Sequence, residues 1–133
     1  MSLADYVLPA IAFILLDLVW IRLHAFHAFG TWASSLSCAS GALPSRLGAA
    51  GAAYALLVVA LCAFVVRPGQ HWSRAFRRGA LLGLCIYGVY DLTNKGVLGD
   101  CYPWALACVD IAWGTLAVGA AAGLGAAVAQ KGS

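Results

Sequence analysis

The chain of 133 residues contains no glutamate, and its acidic side chains are five aspartates: Asp5, Asp17, Asp91, Asp100 and Asp110. Charged residues of both signs make up only 10% of it, against roughly a quarter in an ordinary soluble domain. So little charge excludes a well-wetted globular surface. Cysteines are present but never spaced C-x-x-C, which leaves no thiol redox motif or zinc knuckle. No glycine-rich phosphate loop, zinc-protease motif or nucleophile with a base at useful spacing occurs either, so a catalytic role is the least supported class. What fills the space is hydrophobic residues, 63% of the total. That is membrane composition.

Four apolar stretches can be drawn, at about 4–23, 47–66, 76–92 and 104–129. Each approaches the ~20 residues a helix needs to cross the hydrocarbon of a bilayer. No period-2 alternation marks barrel strands, and backbone groups in lipid must pair internally, so helices are the consistent reading. The expected fold is all-α: one polytopic membrane domain, an antiparallel four-helix transmembrane bundle with both termini on the same side. A signal peptide is not expected at the N-terminus, because no basic residue precedes the first stretch and Asp17 and Arg22 stand where a cleavage site would lie. The connection 24–46 begins with Phe26, Phe29 and Trp32 and turns polar, as an interfacial half-helix and loop would. The linker from Arg67 to Arg78 is basic and broken by Pro68-Gly69.

Basic residues set the expected orientation. Arg67, Arg74, Arg77, Arg78 and Lys131 fall on one side of an alternating topology, and Arg22, Arg46 and Lys95 on the other. The excess places both termini on the cytoplasmic or matrix-like side of a bacterial inner membrane or an organelle inner membrane. This use of basic charge is topological, and no nucleic-acid partner is expected.

In that topology Asp17, Asp91 and Asp110 occupy the same leaflet. Each would cost roughly 2.5–3.5 kcal/mol at a helix centre facing lipid, so they should turn inward. Trp20 follows Asp17 at three residues and Trp113 follows Asp110 likewise, which puts each indole on its aspartate's face of the helix. Tyr87, Tyr90, Asp91 and Asn94 form the matching end of the third span, with Arg22 and Lys95 as candidate charge partners. The cluster reads in two ways: a proton or cation site, because burial disfavours a charged carboxylate, or a polar clasp fixing helix register. A clasp should be sealed by its aromatic neighbours, and a carrier site should line a cavity.

Gly79-x-x-x-Gly83 and Gly119-x-x-x-Gly123 permit close helix packing, as does Gly48 with Ala52. Cys38 and Cys101 lie in connections on the same expected side and are a candidate disulfide if that side oxidises, with two free thiols as the alternative. His24 and His27, without a firm third ligand, make no metal site, and no histidine lies inside a span where haem would need it. No cofactor is expected, and a bound lipid is compatible with the composition.

The motifs Asp17-x-x-Trp20, Arg67-Pro68, Tyr87-x-x-Tyr90-Asp91-Leu92-Thr93-Asn94 and Val109-Asp110-x-x-Trp113-Gly114 resemble a mostly bacterial family of predicted four-helix membrane proteins that is catalogued as a domain of unknown function. The resemblance covers most of the chain and implies four membrane helices without implying an activity. The chain departs from the family's pattern in its first connection, rich in Ser and Ala, and at Gly99-Asp100-Cys101-Tyr102. Three roles follow as expectations. The first is a non-catalytic structural or accessory subunit of a larger membrane assembly, for example a bioenergetic complex. The second is a small proton- or cation-coupled carrier working as a homodimer, and the third a lipid-modifying enzyme.

Overall fold

The computed structural model describes residues 4–20, 22–23, 43–67, 69–98 and 102–131. Four α-helices account for most of the described residues: α1 (Ala4–Trp20), α2 (Leu43–Phe64), α3 (Trp72–Leu98) and α4 (Trp104–Lys131). The candidate disulfide between Cys38 and Cys101, His24, His27, and residues 24–42 of the expected interfacial loop lie outside the described residues. Residues 43–46, assigned to that loop by sequence, belong to α2.

Local chemistry sets the helix boundaries. Pro44 sits in the first turn of α2, where its missing N–H costs no hydrogen bond. After α2 the chain turns through Gly69, whose φ of 62° favours a residue without Cβ. His71 caps α3: its carbonyl accepts from the backbone N–H groups of Arg74 (3.0 Å) and Ala75 (3.1 Å). Its Nδ1 accepts from the backbone N–H of Ser73 at 3.3 Å. The carbonyl of Pro103 starts α4 in the same way, accepting from Leu106 and Ala107.

The helices differ in how well they match a bilayer. Among the described residues, α4 is the one helix both long and apolar enough to cross a membrane; Tyr6–Trp20 and Gly51–Phe64 are shorter apolar segments. With its 17 residues, α1 rises about 26 Å, a little less than the hydrocarbon thickness. The 27 residues of α3 are ample, but the helix carries arginines at its start and Lys95 at its end.

The closest packing is between α3 and α4. A Cβ placed on Gly79 would come within 2.6 Å of the Val118 carbonyl oxygen and 2.8 Å of the Ala122 Cβ. One on Gly83 would lie 3.0 Å from the Thr115 Cα and overlap the Gly114 carbonyl, and one on Gly114 would enter the Tyr87 ring. Gly119 faces Phe76 and Ala80, and Gly123 faces Phe76. Helix α1 packs on α4 where Gly125 makes room for the ring of Pro9, leaving 2.9 Å from a Cβ there to the Pro9 Cδ. A core of Phe13, Leu61, Val65, Ala75, Val118, Ala121 and Ala122 joins the helices.

The linker is pinned as well. The buried Gln70 accepts at its backbone oxygen from Gln130 Nε2 at 2.9 Å, which ties the end of α4 to the α2–α3 turn. Outside this core, large apolar side chains on every helix point outward, among them Leu15, Leu56, Val89 and Leu116. An apolar exterior of this extent suits lipid or protein neighbours rather than water.

Candidate functional site

Three aspartates are buried among the described residues, and each accepts a hydrogen bond from an aromatic side chain. Asp17 on α1 is 6% exposed. Its Oδ2 accepts from the Tyr54 hydroxyl of α2 at 2.5 Å. Its Oδ1 accepts from the Tyr87 hydroxyl of α3 at 2.8 Å. A single carboxylate thus holds three helices together.

Asp110 on α4 is 7% exposed. Its Oδ1 accepts from the indole Nε1 of Trp20 on α1 at 2.8 Å. Asp91 on α3 is fully buried, and its Oδ1 accepts from the hydroxyl of Tyr102, which lies just before α4 and is itself fully buried. Removal of the Tyr102 hydroxyl from water, reinforced by its bond to Asp91, raises that phenol above its ordinary value and keeps it a donor. Through Tyr54, Tyr87 and Trp20, Asp17 and Asp110 tie α1 to each of the other three helices.

The repeated Asp-x-x-Trp is used crosswise. Each indole was expected beside the aspartate of its own helix, but Trp20 reaches from α1 to Asp110 of α4. The two indoles stack with ring centroids 4.7 Å apart and planes 6° from parallel. The reciprocal bond is missing, because Asp17 is occupied by tyrosines and the buried Nε1 of Trp113 has no protein partner among the described residues. Asp91 Oδ2 is buried and unpartnered in the same sense. The echo in sequence is therefore an incomplete symmetry in space.

Of the other residues singled out by sequence, Tyr90 is exposed and Asn94 half-buried. Arg22 is exposed, and the Lys95 ammonium lies over the Trp104 ring, 5.4 Å from its centroid. Gly79, Gly83, Gly119 and Gly123 lie together along the contact between α3 and α4. Among the cysteines, Cys85 and Cys108 are exposed and Cys62 half-buried, all with free thiols.

Tyr54 and Tyr102 were missed by sequence reasoning. A signal existed for Tyr54, the one hydroxyl in an otherwise Ala, Leu and Val stretch, since such a hydroxyl in a span needs a partner. Tyr102 was hidden inside a segment that read as an insertion.

The helices, the apolar exterior and the buried carboxyl groups that accept from aromatic donors define a small helical membrane protein. The chain belongs to the family described as Predicted membrane protein (DUF2177), which matches residues 2–127 and has no known function. Neither a curated protein nor a solved structure matches it.

Proposed function

We propose that the chain spans the membrane four times as an antiparallel bundle and serves as a non-catalytic accessory subunit of a larger membrane assembly, its aspartates acting as a polar clasp. One observation carries this reading: both oxygens of the buried Asp17 are taken by hydroxyls from two other helices. A carboxylate so occupied fixes where helices sit; it is poorly placed to bind and release cargo. The open side of α2 supports the subunit role. Gly48, Ala52 and Ala55 are exposed there, and a Cβ on Gly48 or Gly51 would meet nothing within 4 Å. Small residues on an uncovered transmembrane face are what a partner helix packs against most closely. Gly79, Gly83, Gly114, Gly119, Gly123 and Gly125, by contrast, are consumed inside the fold.

Gentle detergent extraction from native membranes, native gel separation and mass spectrometry of the co-migrating chains test the proposal. A stoichiometric complex is expected. Migration as a monomer or homodimer overturns the subunit role.

The second reading, a proton- or cation-coupled carrier, draws on the two polar atoms that lack protein partners, Asp91 Oδ2 and Trp113 Nε1. A water beside either atom, or a cation beside Asp91 Oδ2, would complete its bonding. On this reading Asp91→Asn abolishes uptake into liposomes; on the clasp reading the amide keeps the bundle assembled.

A further inference from the structure

We propose that the outward face of α3 binds an anionic phospholipid, with the phosphate held by Arg74, Arg77 and Arg78 and an acyl chain lying along Leu81, Leu84 and Val89. The three arginines are all exposed and stand at i, i+3 and i+4, so their side chains share one face of the helix. This is the end of a helix where cations are least welcome. Arg74 lies in the first turn, at the positive end of the helix dipole, and like charges one turn apart, as Arg74 with Arg77 and Arg78, repel. The first turn of α3 holds no acidic side chain to offset them. An external anion resolves the conflict.

The rest of the stripe identifies what kind of anion. Continuing from Arg77 and Arg78 in steps of three and four residues, the helix presents Leu81 (62% exposed), Leu84 (47%), the exposed Cys85 and, four residues beyond it, Val89 (69%), a broad apolar band below the arginines. A free phosphate has no use for such a surface, whereas a phospholipid has a phosphate at one end and a hydrocarbon chain of matching length below it. Trp72, half exposed at the start of the helix, sits where an indole marks the headgroup level of a bilayer. The inference rests on α3 crossing the membrane and is independent of the subunit role, which can fail in the native gel without affecting it.

The test is native mass spectrometry of the purified chain in non-ionic detergent, titrated with dioleoyl phosphatidylglycerol or dioleoyl phosphatidylcholine. Phosphatidylglycerol should bind more tightly, and Arg77→Gln should weaken it about fivefold, with a similar factor for each further arginine removed. The triple variant Arg74→Gln/Arg77→Gln/Arg78→Gln should bind both lipids alike. Arg77→Lys, which keeps the charge, should retain the preference, and circular dichroism verifies that each variant is helical. Equal binding of the two lipids by the unaltered chain, or an undiminished preference in Arg77→Gln, overturns the proposal. Displacement of phosphatidylglycerol by an equal concentration of inorganic phosphate also overturns it, because the site would then be one for a free anion.

Discussion

Trp20 and Trp113 have the same chemistry and nearly the same surroundings, yet only Trp20 has its N–H directed at a carboxylate in the aspartate cluster. The two stack on each other, so replacing either with Phe removes a similar amount of ring contact. Trp20→Phe also leaves the buried Asp110 oxygen without its donor. Hydrogen bonds between membrane helices average about 0.6 kcal/mol and reach about 1.7 kcal/mol. Trp20→Phe should therefore destabilise the bundle more than Trp113→Phe by about that margin, as read by unfolding in mixed detergent micelles. Equal losses would mean that the indole of Trp20 acts through packing alone. At this scale the sequence named the acceptors and two of the donors, Trp20 and Tyr87, but not which acceptor each donor reaches. An aspartate in an apolar run announces itself, because its desolvation cost demands an inward position. The hydroxyl that satisfies it can come from any helix, and nothing local in Tyr54 or Tyr102 names Asp17 or Asp91 as its acceptor.

The contact between α3 and α4 depends on backbone approaching backbone. At Gly83 an added Cβ would collide with the main chain of Gly114 and Thr115, which cannot swing aside as a flexible side chain would. Gly83→Leu should separate the two helices and cost several times what the same change costs at the exposed Gly96, where a Cβ meets nothing within 4 Å among the described residues. Thermal unfolding of the two variants in detergent checks this, and equal melting temperatures would refute the close contact. The existence of the helices was readable from apolar runs, but their ends were less so. Helix α3 begins at Trp72 rather than near Phe76 and runs to Leu98 rather than Leu92. Arginine, lysine and asparagine lower the hydropathy that marks a span, although Arg and Lys are good helix formers and the backbone continues through them. The cap that starts α3 uses His71 in place of the usual Ser, Thr, Asp or Asn, so the common start signal was absent.

At the scale of the molecule the helices are unequally covered. Among the described residues, α4 has ten buried residues and is packed against α1 and α3, whereas α2 makes its principal helix contacts with α1. If a partner helix completes the structure, it belongs on α2. Gly48→Leu should then release the chain from its native complex on a gel while leaving the melting temperature of the isolated chain unchanged. A chain that stays in the complex would place the partner elsewhere, and a lowered melting temperature in isolation would show that Gly48 serves the bundle itself.

The clasp also has an order in time. The bond from Tyr102 to Asp91 closes over 11 residues, so both of its partners are synthesised close together in time. Asp17 must wait for Tyr54, 37 residues later, and for Tyr87, 70 residues later, while Asp110 accepts from a Trp20 made 90 residues before it. During synthesis α1 therefore carries an unsatisfied carboxyl group toward the bilayer before either of its acceptor's partners exists. Its release into lipid should be delayed at the insertion machinery until α3 emerges, and Asp17→Leu should let α1 leave early.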